Sequence, residues 1–236
     1  MIQIGMVCEA PSDHKTAITI AELVLGRVID TRCLDEAIDN EPKFTRWTKL
    51  DRHQKKWPRH HLNGWRGNDK PLHGQTLAAR KALWLFFGKA EAVILMVDGD
   101  AEGRERLDAL ERARQDSTMI TPDLVIVAVP QPEREAWHIA GFEPVDNHEH
   151  DRLKELTKEL GSDPRTNSHT LKHGRDNAKR NAKRILDILT DNDHEREQEC
   201  LSHSSVQTLC ERGGKNGLVE FVDGLIRLKS HLDNAH

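Results

Sequence analysis

Tyrosine is absent from the 236-residue chain, and aromatic residues reach only 4%, as five Trp and five Phe. Apolar residues as a whole stop at 36% against 31% charged. That balance predicts one proper core carrying polar, partly irregular insertions. No window approaches the roughly 18 consecutive apolar residues of a membrane span. The opening Met1 to Val7 lacks a basic stretch followed by a long apolar one, so no secretory leader is expected. The chain is therefore expected to be soluble and cytoplasmic. Its four cysteines, Cys8, Cys33, Cys200 and Cys210, contain no CxxC pair and read as free thiols rather than a disulfide framework. An excess of basic charge is also missing. Thirty-five Lys and Arg against 39 Asp and Glu give a net charge of -4, which excludes a simple basic nucleic-acid binder and leaves only local patches for such a role. There is no GxSxG, no HExxH helix and no phosphate loop around Gly213-Gly214-Lys215, which reads as a helix C-cap turn. Cys200, His203 and Cys210, with His194, fit no standard zinc spacing.

What is present is a strand and helix alternation. Ile2-Gln3-Ile4-Gly5-Met6-Val7 reads as a strand, and Ala17, Ile20, Ala21, Val24, Leu25 and Val28 as the buried stripe of a helix with Ser12 as its N-cap. Residues 31–75 lose periodicity and form a basic, Trp- and His-rich insertion, with an edge strand at about residues 45–50. A helix follows over 76–87. Ala92-Val93-Ile94-Leu95-Met96-Val97 is apolar without alternation, the habit of a parallel strand covered on both faces. A charged helix over 104–115 and a third strand at Leu124-Val125-Ile126-Val127-Ala128-Val129 complete the pattern. This order predicts an α/β fold with a mostly parallel sheet flanked by helices, occupying residues 1–145. A helical extension over 146–236 is expected to pack on it, interrupted by an acidic, mobile stretch at 191–199.

In an open parallel sheet, ligands sit beyond the carboxyl ends of the strands. The residues expected there are acidic. Glu9 ends the first strand, Asp98 and Asp100 the central one, and Glu133 and Glu135 follow the third. Residues two apart on an extended chain share a side, so Asp98 and Asp100 are expected to face one cavity. Carboxylates gathered in this way call for a cation, and all-oxygen donors select Mg²⁺ or Mn²⁺ over zinc. A metal among carboxylates implies phosphate-ester chemistry.

Glu9 after the first strand and Asp98-x-Asp100 after a later one resemble the Toprim domain of topoisomerases, primases and OLD-type nucleases. Cys8-Glu9-Ala10-Pro11-Ser12-Asp13 and Pro132-Glu133-Arg134-Glu135-Ala136-Trp137 are similar to two segments of the compact bacterial Toprim-like proteins. The resemblance covers residues 1–142 in outline and leaves the insertion unmatched. Ala10 stands where a glycine is usual, and Ala101-Glu102-Gly103 is looser than the topoisomerase pattern. The resemblance implies a Toprim-like fold, Glu9 as general acid/base, and Asp98 and Asp100 as Mg²⁺ ligands, with Glu133 or Glu135 completing the shell. It further implies a metal-dependent nuclease, with a role in a bacterial defence system against phage and a partner protein from the same operon.

Two basic stretches are candidates for holding DNA or RNA. Residues 43–66 carry Arg46, Lys55, Lys56, Arg59 and Arg66 interleaved with Trp47, Trp57 and Trp65, which combines cations for phosphates with stacking faces for bases. Residues 165–184 carry Lys172, Arg175, Lys179 and Lys183. Each stretch also reads as a solvated face, the first with its Trp residues pinned to the core. Two other functions compete with the nuclease: a non-catalytic nucleic-acid-binding or partner-docking subunit on a degenerate Toprim fold, and a phosphatase of the haloacid dehalogenase type. The latter normally carries its DxD on the first strand.

Overall fold

A computed structural model describes residues 1–34, 44–53, 74–174 and 178–234. The chain divides into two compact units.

The first unit comprises Met1–Val97, Arg104–Ala128 and Asp223–His236. It is an α/β assembly, a mostly parallel sheet flanked by helices. The strands are β1 (Ile2–Cys8), β2 (Ile29–Arg32), β3 (Thr45–Arg46), β4 (Ala92–Met96) and β5 (Val125–Ala128). Their order is β2-β1-β4-β5, with β3 on β1 beyond the end of β2, and all the pairings among described residues are parallel. Strand β4 is buried along its whole length, as an unbroken Val/Ile/Leu run between two neighbours requires. Helix α1 (Pro11–Leu25) starts at Ala10 with Pro11 in its first turn. Ser12, the expected cap, therefore lies inside the helix. Proline suits that first position because its missing N–H has no intrahelical partner to lose. Helix α2 (Gly74–Phe86) lays Phe86 against Gly5 of β1, where a Cβ would stand 2.5 Å from the ring. Helix α3 (Gly103–Gln115) joins β4 to β5.

Two expectations for this unit change. Strand β2 falls where periodicity was expected to fade. The stretch expected as an edge strand at 45–50 is two strand residues followed by a 3-10 turn, Trp47–Arg52. The Trp47 indole N–H donates to the Met96 carbonyl at 2.7 Å and so holds that turn against the end of β4.

The second unit comprises Asp98–Gly103 and Val129–Val222. Its helices are α4 (Glu135–Gly141), α5 (Asn147–Leu160), α6 (Ala182–Thr190), α7 (His194–Ser202) and α8 (Val206–Arg212), and α9 (Leu218–Asn234) begins in it. Four side chains cap helix N-termini as their types predict: Asp146 on α5, Asn181 on α6, Asp193 on α7 and Ser205 on α8. Helix α4 is buried throughout and packs against α6, α7 and α8. Around it lies an apolar core that includes Phe142, Leu153, Leu156, Ile185 and Leu189. The division differs from the expected boundary at 145/146, because α4 and the chain before it pack with the later helices. The stretch at 191–199, expected to be mobile, contains most of α7. That helix is held by Arg196, whose Nε and Nη2 donate to the Glu149 carboxylate at 2.7 and 2.9 Å. No helix among the described residues is long and apolar enough to cross a membrane.

Candidate functional site

The chain leaves β4 at Val97 and enters the second unit as the turn Asp98-Gly99-Asp100. Three bonds tie that turn to the segment after β5. The Gly99 N–H donates to the Pro130 carbonyl at 2.8 Å and the Asp100 N–H to the Pro132 carbonyl at 2.7 Å. In return, Asp98 Oδ1 accepts the Arg134 N–H at 3.1 Å. The close approach needs a glycine in the middle, since a Cβ on Gly99 would stand 2.8 Å from the Pro130 carbonyl oxygen. Asp100 has a φ of +48°, in the left-handed region that Asp tolerates better than most residues. Asp98 and Asp100 are thus on a tight turn rather than on extended chain. The alternation expected to aim both at one cavity does not apply, because β4 ends at Met96.

The acids of this unit sense one another. The Glu133 carboxyl is pushed up to about 7, first by burial and then by repulsion from Glu135 and Asp100. A main-chain hydrogen bond from Lys183 and the Arg134 charge oppose that rise. Its Oε1 is buried with no hydrogen-bond partner. Glu135 is itself buried, and the Arg134 guanidinium lies 3.0 Å from its carboxylate and 2.6 Å from that of Glu197. Burial works to raise Glu197, but Arg134 and His138 outweigh it and hold the carboxyl low. His138 is fully buried, with Nδ1 at 2.9 Å from the Glu197 carbonyl. Arg134, Glu197 and His138 were not among the sequence candidates. Only Arg134 carried a signal, as the one cation inside the Glu133-Arg134-Glu135 run.

Hard oxygen donors and an orphaned buried carboxylate oxygen suit a divalent cation. Among the described residues no three His, Cys, Asp or Glu side chains form a group able to hold an ion unaided. The residues therefore fit an ion that takes one or two carboxylates and completes its shell with water and phosphate oxygens, the habit of Mg²⁺. One or two of Asp98, Asp100 and Glu133 would serve as those carboxylates, whereas the Glu135 carboxylate is paired with Arg134.

Glu9 belongs to the first unit. It is exposed at the end of β1, with its N–H donated to Asp13 Oδ2 at 3.2 Å beside that of Ala10 at 2.8 Å. Asp13 thereby serves two main-chain donors at the start of α1. Cys8, next to it, is buried, and burial followed by the Asp13 charge pushes its thiol far up, so it is not a nucleophile. Burial likewise pushes the Cys200 thiol up to about 12.

Of the basic candidates, Arg46 is exposed, its guanidinium carbon 6.0 Å from the Phe44 ring centre. Trp47 is committed to the Met96 carbonyl rather than presented for stacking. Lys172, Lys179 and Lys183 are exposed, and the Lys183 main chain reaches Glu133. Arg180 and Arg184 of the same stretch are tied down by the Leu160 carbonyl and by Glu159. Lys55, Lys56, Arg59, Arg66 and Arg175 lie outside the described residues, as do Trp57 and Trp65.

Comparison with protein-family models, with curated proteins and with solved structures gives no match to this chain.

Proposed function

We propose that the chain is a Mg²⁺- or Mn²⁺-dependent nuclease of Toprim type. The observation that carries the reading is the Asp98-Gly99-Asp100 turn, bonded to the Pro130–Arg134 segment so that the half-orphaned Glu133 carboxyl belongs to the same acidic group. A bound divalent cation would supply charge neutralisation for a phosphodiester and its leaving oxygen. One or two of Asp98, Asp100 and Glu133 would hold it, with water and phosphate oxygens completing the shell. Exposed Lys179 and Lys183 would take neighbouring phosphates, as cations on a nucleic-acid path do. Glu9 would move the proton, a role that rests on the Toprim resemblance alone. A place in phage defence and a partner protein from the same operon follow from that resemblance too.

The test is cleavage of plasmid, single-stranded DNA and RNA with Mg²⁺ or Mn²⁺ by wild type, Asp98→Ala and Glu9→Ala. Activity that falls at least 100-fold in both variants supports the proposal. Wild type no better than the variants refutes it. One observation favours a second reading, a non-catalytic nucleic-acid-binding subunit: Arg134 already balances Glu135 and Glu197 without a metal. That reading predicts binding that survives EDTA and is unchanged in Asp98→Ala.

A further inference from the structure

We infer that Asn216, in the Gly213-Gly214-Lys215-Asn216-Gly217 turn, is the positioning residue that fixes the acidic site from behind. Its functional consequence rests on the nuclease reading, its geometry on the hydrogen bonds of the turn. Asn216 is fully buried between α8 and α9. Its main-chain carbonyl accepts two donors from the segment that carries Glu133 and Glu135, the Gln131 N–H at 2.9 Å and the Trp137 indole N–H at 2.8 Å. Its side chain locks the turn in the orientation that aims this carbonyl. Nδ2 donates to the Ser168 hydroxyl at 2.9 Å and to the Ala136 carbonyl at 3.3 Å, while Oδ1 accepts the Leu218 N–H at 3.1 Å. Every polar atom of the side chain is thus used, and a fully satisfied buried amide specifies one geometry. Gly217 allows the close fit, because a Cβ there would overlap the Val129 carbonyl.

The opposite side of the Pro130–Arg134 segment carries the Asp98-Gly99-Asp100 turn, through the Gly99 and Asp100 amides and the Asp98 carboxylate. One segment is therefore bonded to two turns. The metal-binding turn has its register only as long as the rear turn holds. Asn216 touches no reacting atom. Its loss is felt through the Gln131–Glu133 main chain, as with the partners that orient metal ligands elsewhere, whose removal typically costs about 10- to 100-fold in metal affinity.

The experiment uses the full chain with and without Asn216→Ala. Three quantities are read: Mn²⁺ uptake by calorimetry, amide hydrogen exchange at Gly99 and Asp100, and kcat against KM for cleavage of the best substrate. The inference expects folded Asn216→Ala to bind Mn²⁺ about 10- to 100-fold more weakly, to exchange those two amides faster, and to lose kcat with KM unchanged. Equal Mn²⁺ affinity and equal exchange in wild type and variant overturn it while leaving the nuclease reading intact. If wild type takes up no Mn²⁺, the nuclease reading fails, and the positioning role stands or falls on exchange at Gly99 and Asp100. Where Asn216→Ala does not fold, Ser168→Ala, which removes one acceptor of Nδ2 and leaves both carbonyl bonds, is judged by the same criteria.

Discussion

Glu133 makes the protein pay for its acidic site in a way that pH reveals. Its carboxyl stands at about 7 against an ordinary 4.5, and each pKa unit corresponds to about 1.4 kcal/mol between the two protonation states. The gap amounts to about 3 kcal/mol, which solvent screening of a half-buried group reduces to about 2. The sign follows from linkage. Below pH 4.5 the carboxyl is protonated in folded and unfolded chains alike and there is no penalty. Between 4.5 and 7 the unfolded chain ionises first, so stability falls as pH rises. Above 7 the folded chain carries the whole penalty. Glu133→Gln removes the charge and keeps an acceptor for the Lys183 N–H. At pH 8 the variant should therefore be more stable than wild type by about 2 kcal/mol, or about 4–8 °C in Tm for a chain of this size. At pH 4 the two should melt together. Scanning calorimetry at the two pH values decides it. A Tm difference that is the same at both, or a variant less stable at pH 8, refutes the argument. Saturating Mg²⁺ at pH 8 should raise the Tm of wild type by more than that of the variant, because Glu133→Gln removes one of the charges that the cation relieves.

Three further outcomes follow from other contacts. Arg196→Ala, which strands the buried Glu149 carboxylate, should cost about 3–5 kcal/mol in urea unfolding, and Glu149→Gln in the same chain should recover part of it. Gly5→Ala drives a methyl into the Phe86 ring and should cost about 1–3 kcal/mol; Phe86→Leu should lessen the loss, whereas an additive double variant would show that the two do not compete for space. Lys179→Glu with Lys183→Glu should weaken nucleic-acid binding and flatten its logarithmic salt dependence by about 2, and an unchanged slope in filter binding would remove Lys179 and Lys183 from the interface.

The buried strands and most helices could be read from the sequence because each carries its own local signature. Ala92–Met96 is apolar throughout, and Ala17, Ile20, Ala21 and Val24 repeat at helical spacing. Strand β2 had no comparable mark. Its four residues, Ile29-Asp30-Thr31-Arg32, alternate over too short a run to stand out from the polar insertion that follows. Helix α7 was hidden for another reason. His194 to Gln198 looks like solvated charge, yet Arg196 and Glu197 are buried because their partners, Glu149 and Arg134, lie about 50 and 60 positions earlier in the chain. A window of sequence cannot see a charge that is neutralised from so far away. Asn216 escaped for the same reason, since its glycine-rich surroundings announce a turn but say nothing of what the turn holds.

Charge accounts for the main change in the picture of the site. From sequence, Glu9, Asp98, Asp100, Glu133 and Glu135 form a set of acids that calls for a divalent cation. In the second unit, however, the Arg134 guanidinium stands between Glu135 and Glu197 and, with His138, holds the Glu197 carboxyl low against burial. The same residue donates its main-chain N–H to Asp98. Arg134 thus fixes the turn by its backbone and takes Glu135 out of the ligand set by its side chain. What is left over is the Glu133 carboxyl, raised by burial and by its acidic neighbours, with one oxygen unpartnered. A proton or a cation must satisfy that oxygen, since a buried ionised carboxylate is otherwise too costly. Near neutral pH the two compete on nearly equal terms, so uptake of Mg²⁺ at pH 6 should release close to one proton per site and at pH 8 far less. Calorimetry in buffers of different ionisation enthalpy measures that release, and a proton count that does not fall between pH 6 and 8 would show that Glu133 is not the ligand.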